Sequence, residues 1–445
     1  MSAPPDPTSR HAALQTVRAA VAAMPAPREL AQLERDAKAA EARGYFDPVE
    51  DERLRDGYAR FLAQRVALYD AIDRLGARFK RFRGSRQSLE PDDLRDFGVA
   101  FAGAEVIVRS GEALIDRARH RDLVWQKLDE AEMRYGIPRK RFTRLYRQLT
   151  SARLMRPYYA ARDWFDVHRD AVMDALRRDP DHAPIADMLD RLNGPGASRG
   201  DHLARYSGFV RYALRRRGWS ALRHILFEVF ESMGSDIADR RIPLIKPTAA
   251  PKRITAAHLD ILRTELCPGD VLVTRHDDAL SNLFLPGHWP HSALFVGPEA
   301  GGGRDVLEAK KDGVLLRDLS ETVQVDSLVV LRPTLPPDQV ATAIARGLTH
   351  AGKLYDFVFD FATSDRLVCT EVIYRSYHGV GPVAFRLGLK AGRRCLSAED
   401  LLDQGIGEGW FAPVLSINIG QTGLLRGDAA RAALRDSYGS HFDTA

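Results

Sequence analysis

Hydrophobic positions in the first half of the chain recur with a helical period. Leu54, Tyr58, Phe61, Leu62, Val66, Tyr69 and Ile72 fall near i, i+4, i+7 on one face. Similar faces run over 94–115, 123–135, 142–154, 164–176 and 203–230. Breakers separate them at Gly84, Ile137-Pro138, Asp179-Pro180 and Gly194-Pro195-Gly196. Ser88 and Glu90-Pro91 mark a helix start, because proline suits a first turn whose N–H has no partner anyway. This predicts an all-α domain over residues 1–240 with seven or more helices and no internal repeat.

The period then changes. Pro243, Pro247 and Pro251 fall within a short polar stretch, which predicts a linker over 241–256. Short β-branched runs follow at 270–275, 291–297, 305–309, 313–316 and 327–331, each bounded by Gly, Pro or Asp. Helical segments are expected around 340–350, 370–377 and 398–402. Sequential strands with flanking helices predict an α+β domain over 257–425, followed by a tail at 426–445 whose stretch 428–437 is amphipathic.

Charge follows the same division. Residues 1–250 carry a net +9 and residues 251–445 a net −4, within a total of +5 over 445 residues. Basic runs with aromatics occur at 78–83, 138–147 and 211–217. Arginine outnumbers lysine 55 to 10 throughout, and acidic residues are interspersed, so a solvated helix face accounts for most of this. Nucleic acid is not the expected partner; peripheral membrane contact is compatible with the basic runs and with the amphipathic stretch 218–230. No run reaches the ~18 apolar residues of a membrane span. Arg18 interrupts the apolar stretch 12–24, so a cytoplasmic protein is expected. Three separated cysteines, Cys267, Cys369 and Cys395, argue for a reducing compartment and against a disulfide framework or a cysteine-based zinc site. His288 and His291 lack the spacing of a metal motif, and Gly301-Gly-Gly303 lacks the Lys-Ser/Thr of a phosphate loop. Neither metal nor cofactor is expected.

Candidate chemistry gathers in the second half. Cys369 opens the helical run Thr-Glu-Val-Ile-Tyr-Arg-Ser-Tyr at 370–377. A helix N-terminus presents unpaired N–H groups and the positive end of the dipole, and both favour thiolate. His291 begins a strand, where an imidazole stands at a sheet edge. Antiparallel pairing through the 298–304 turn brings the strand carrying Glu308 beside it, so the carboxylate is placed to orient the imidazole.

Residues 266–378 resemble the permuted papain-like amidases of the YiiX/YebB/YaeF group, relatives of NlpC-type cysteine hydrolases. The resemblance rests on Pro-Gly-Asp-Val-Leu-Val-Thr at 268–274, Ser-Asn-Leu-Phe-Leu-Pro-Gly-His-Trp-Pro-His-Ser-Ala-Leu-Phe-Val-Gly at 281–297, and Val-Leu-Glu-Ala at 306–309. Gly313-Val314, Tyr-Asp-Phe-Val-Phe-Asp at 355–360 and Cys-Thr-Glu-Val-Ile-Tyr at 369–374 complete it. The order His, acid, Cys is the reverse of papain's, as the permuted group requires. The resemblance implies a papain-like α+β domain with an antiparallel sheet, Cys369 as nucleophile, His291 as general acid and base, and Glu308 as its orienting residue. Tyr355 is a candidate for a second oxyanion donor or a pocket wall, against the commoner reading of a core aromatic. Thr370 stands where relatives usually have serine. The expected function is hydrolysis of an amide or thioester in a small-molecule, peptide or lipid-linked acyl substrate, with the helical domain gating access. The alternatives are an acyltransferase and a non-catalytic lipid- or peptide-binding module.

Overall fold

The computed structural model describes residues 7–76, 90–192, 252–276, 288–356, 361–390, 393–419 and 423–440. The chain divides into two compact units: Met1–Arg43, Glu50–Ala131 and Ile137–Trp219 in one, and Gly44–Val49, Glu132–Gly136 and Ser220–Ala445 in the other.

The first region is all-α as expected. Its described helices are α1 (Pro7–Ala22), α2 (Pro27–Arg43), α3 (Pro48–Gly76), α4 (Pro91–Ala118), α5 (Asp122–Asp129), α6 (Arg141–Thr150), α7 (Ala152–Arg177) and α8 (Ala183–Leu192). The first four begin at proline, whose fixed φ is already helical. α4 runs through the core. Phe101 stacks on Phe165 at 4.5 Å, and α4's buried Glu105 accepts from Arg109 at 2.8 Å, Tyr158 at 2.8 Å and Arg162 at 3.1 Å.

Two expected helical faces are divided. The run 142–154 breaks at Ser151, which leaves helical geometry and accepts from the Leu154 N–H, ending α6 and capping α7. The run 123–135 stops at Asp129 and resumes only as a 3-10 turn, Met133–Tyr135. The helix expected at 203–230, the basic runs 78–83 and 211–217, the stretch 218–230, Ser88 and the prolines of the linker lie outside the described residues. In the remaining basic run, Phe142 and Tyr146 are buried against Trp125, while Arg139, Lys140, Arg144 and Arg147 face solvent.

The second region is α+β. A seven-stranded antiparallel sheet has the order β11-β10-β5-β1-β2-β3-β4. Its strands are β1 (Val271–Arg275), β2 (His291–Phe295), β3 (Val306–Lys310), β4 (Gly313–Arg317), β5 (Ser327–Pro333), β10 (Phe411–Ile417) and β11 (Leu424–Arg426). Two small pairs stand apart: β6 (Leu354–Tyr355) beside β7 (Arg366–Leu367), and β8 (Gly388–Lys390) beside β9 (Arg393–Cys395). The strand β10 carries Pro413 at a register shift against β5, which hid it from pattern reading.

Period-two alternation sorts the sheet into two faces. Val271, Val273, Leu294, Leu307, Val329 and Leu331 point to one cluster, built with α11 (Pro337–Leu348), α12 (Cys369–Tyr377), α13 (Ala398–Gly407) and Leu434 of α14 (Gly427–Tyr438). Leu272, Ala293, Phe295, Val306, Leu328 and Val330 point to the other, covered by α9 (Ala256–Glu265) and the one-turn α10 (Leu319–Thr322).

Candidate active site

Cys369 is the first residue of α12, a helix whose nine residues are all buried. Val368 precedes it in extended geometry and its apolar side chain supplies no cap to the helix's first N–H groups. The N–H of Thr370 hydrogen-bonds the Cys369 sulfur instead, as does the N–H of Ser292. The sulfur also lies 3.9 Å from the Pro290 carbonyl. The thiol therefore packs against the backbone at the start of β2.

Two buried cations tether the approach to Cys369. Arg375 of α12 pairs with Glu371 one turn earlier at 2.8 Å and donates to the Thr363 carbonyl at 2.9 Å. Lys353 donates to the Ser364 carbonyl at 2.8 Å. The segment that leads through β7 into Cys369 is thus fixed from below. On the other side, the Trp289 indole donates to Ser437 of α14 at 2.9 Å, Glu399 accepts the His288 N–H, and Arg275 donates to the His288 carbonyl. These fix the approach to His291.

The sheet register brings the histidine and the acid together. Leu294 pairs with Leu307 and Phe295 with Val306, as the 298–304 turn implied. Continuing that register places Glu308 opposite Ala293, on the same face as His291 and diagonal to it. The His291 Nε2 to Glu308 Oε1 distance is 2.8 Å. This leaves Nδ1 as the ring nitrogen for the sulfur. Cys369 rises from the helix on the opposite face, and because His291 is the first residue of its strand, the imidazole meets the sulfur past the end of the backbone ladder.

Electrostatics couple the three. For Cys369, burial would raise the pKa, but the charge and hydrogen bond of His291, with the two backbone N–H donors, lower it below the ordinary thiol value. For His291, burial would lower the pKa, yet Cys369 and then Glu308 raise it to about 10. Glu308 is 1% exposed; burial would raise its pKa, but His291 and then Lys310 bring it down to about 2. All three effects favour a thiolate–imidazolium–carboxylate series over three neutral groups.

Tyr355 comes to the same place. Its strand β6 runs parallel to β7, with Tyr355 opposite Leu367, two residues before Cys369. Burial, then the Cys369 charge, then Asp356 raise its pKa well above the ordinary value, so its hydroxyl keeps its proton. Cys395 lies in β9, and Cys267 is exposed. Among the described residues, no group of three His, Cys, Asp or Glu side chains is arranged to hold a metal ion.

Residues 265–389 match the family of permuted papain-like amidases, YaeF/YiiX, C92. This amidase-like region contains Cys369, His291, Glu308 and Tyr355 and supports a papain-like amidase or peptidase function for a small-molecule or peptide substrate. It takes in β1 to β8 and α12, but not β10, β11 or α14. No curated protein and no solved structure matches the chain. Among the described residues, no helix is long and apolar enough to cross a membrane.

Several contributors around the amidase-like site were not visible in the sequence. Thr322 donates to Glu308 Oε2 at 3.1 Å, and Lys310 and Arg317 approach the same oxygen at 2.8 and 3.3 Å. Ser437, 146 residues after His291, is tied to it only through Trp289. Lys310 and Arg317 carried a faint signal, as cations spaced by two from the acid and from its cross-strand neighbour Leu315. Thr322 and Ser437 carried none.

Proposed function

We propose that the protein is a cysteine hydrolase that cleaves an amide or thioester through an acyl-enzyme on Cys369. The helical region governs which substrates reach the site. The reading is carried by one observation: sulfur, imidazole and carboxylate stand in series at the N-terminus of a buried helix, within the segment that matches an amidase family.

Chemistry follows from that order. The Cys369 thiolate attacks the carbonyl carbon, and the carbonyl π electrons move onto oxygen. The Cys369 backbone N–H and the Tyr355 hydroxyl are the donors we assign to that oxyanion. As the tetrahedral adduct collapses, His291 gives its proton to the departing amine or thiolate, leaving acyl-Cys369. Neutral His291 then takes a proton from water as the water attacks the thioester, and collapse releases the carboxylic acid and restores the thiolate and imidazolium. Glu308 holds Nε2–H throughout, so Nδ1 is always the nitrogen that moves the proton. The low Cys369 pKa makes the nucleophile available without a separate deprotonation step.

An electrophilic thiol probe applied to the full chain tests this. Labelling is expected at Cys369 near neutral pH and absent in Cys369→Ala. Equal labelling of both proteins removes the proposal. With a panel of N-acyl amides and thioesters, intact-mass measurement is expected to detect an acyl adduct on the wild type alone. Free acid as the product indicates hydrolysis; an acylated amine or alcohol indicates transfer.

A further inference from the structure

Glu308 makes more contacts than orientation of one imidazole requires. Oε1 meets His291, while Oε2 accepts a hydrogen bond from Thr322 at 3.1 Å and pairs by charge with Lys310 at 2.8 Å and with Arg317 at 3.3 Å. The partners come from different elements for a register reason. Lys310 is two residues along the same strand, hence on the same face. Leu315 of β4 lies directly opposite Glu308, so Arg317 is diagonal to it there, as His291 is on β2. Thr322 is the last residue of α10, the single turn laid over this face between β4 and β5.

A carboxylate terminus is broad in rotation when only one oxygen is held. Here both oxygens are held, and both Glu308 and Thr322 are nearly inaccessible, at 1% and 2%. Thr322 supplies direction without charge. Lys310 and Arg317 supply charge, with Arg317 also bound to Asp312 at 2.5 Å. The charged or titratable groups facing this assembly are His291 from β2, Lys310 from β3, Arg317 with Asp312 from β4 and its hairpin, and Cys369 from α12 beyond the imidazole. Glu321 of α10 is exposed.

We propose that Thr322, together with Lys310 and Arg317, is a positioning set that locks the Glu308 carboxylate and through it sets the acidity of Cys369. This rests on the Cys369, His291 and Glu308 reading above. The chain of effect is local. A loosened carboxylate leaves the imidazolium free to turn, its hydrogen bond to the thiolate is weakened, and Cys369 needs a higher pH to ionise. Neither Thr322 nor Lys310 is assigned a contact with substrate.

The test is the pH profile of iodoacetamide alkylation at Cys369, followed by peptide mass mapping of the full-length protein. In Thr322→Val the acid limb is expected to move up by about one pH unit, giving about tenfold slower alkylation below the midpoint. Thr322→Ser keeps the hydroxyl and is expected to keep the wild-type profile. Lys310→Met moves the limb in the same direction as Thr322→Val and uses a half-exposed site that folding tolerates. Wild-type limbs in Thr322→Val and Lys310→Met, with or without a lowered Tm, overturn the proposal and assign the set a structural role. If wild-type Cys369 itself alkylates only in the ordinary thiol range, the hydrolase reading fails with it, and the two failures are told apart by that one control.

Discussion

At the scale of single residues, the proposed site places ordinary groups where one ionisation state is favoured. Cys369 and His291 are each unremarkable alone; together they exchange a proton because each stabilises the other's charge. Tyr355 belongs to the same scale. Its hydroxyl stays protonated beside the thiolate, which is what an oxyanion donor requires. Tyr355→Phe is expected to lower kcat by about 10²-fold, with KM little changed and Cys369 alkylation unaffected, as for loss of one oxyanion-hole donor. A rise in KM at constant kcat would assign Tyr355 to the pocket wall. His291, Glu308 and Cys369 could be singled out as candidates in the sequence, because nucleophile, base and acid are chemically distinctive and the helix start and hairpin carry local signatures; Tyr355 read more readily as a core aromatic. Thr322 could not be singled out, since a threonine in the mixed stretch 318–326 says nothing about which carboxylate it will meet.

At the scale of elements, the helix α12 and its approach are held by buried charge. Arg375 is 1% exposed and joins Glu371 of its own helix to the carbonyl of Thr363. Arg375→Met leaves a buried carboxylate and a buried carbonyl without that donor. The expected cost is about 3–5 kcal/mol of unfolding free energy, measured by urea denaturation; a change below about 1 kcal/mol would refute this account of the approach to Cys369. The strands 270–275, 291–297, 305–309, 313–316 and 327–331 were readable because each alternates or is β-branched between turn residues. β10 was not, because Pro413 is tolerated there only through the register shift against β5. Ser151 divided one expected helix for a similar reason: a capping side chain ends a helix while the hydrophobic period continues through it.

At the scale of the whole molecule, the site's charges enter stability through pH. Glu308, lowered to about 2, contributes fully above its ordinary 4.5 and loses that contribution as pH falls from 4.5 towards 2. His291, raised to about 10, contributes fully below 6.5 and loses that contribution as pH rises to about 10. Cys369 runs the other way: its contribution is complete above the ordinary 9.0 and fades as pH falls through its lowered value. Above both 6.5 and the lowered Cys369 value, and up to 9.0, the folded pair and the unfolded chain both hold one proton, so the alkaline loss is confined to the range from 9.0 to about 10. Unfolding free energies of wild type and the double variant Cys369→Ala/His291→Gln, which lacks both titrating groups, are therefore expected to differ by a constant amount on the approach to pH 9 and to converge above it. A gap that stays constant through pH 10 would contradict the raised imidazole.

The sequence by itself determined the local terms: a helical first half, strands in the second, a thiol at a helix start and a histidine and an acid on adjacent strands. These are visible because period, turn chemistry and side-chain type act over a few residues. Tertiary structure alone decided that the imidazole meets the sulfur past a strand end, that three side chains gather at the second oxygen of Glu308, and that Ser437 anchors Trp289 beside His291. Those contacts join residues far apart in the chain, and their identity is settled by sheet order and packing, which no short-range pattern encodes.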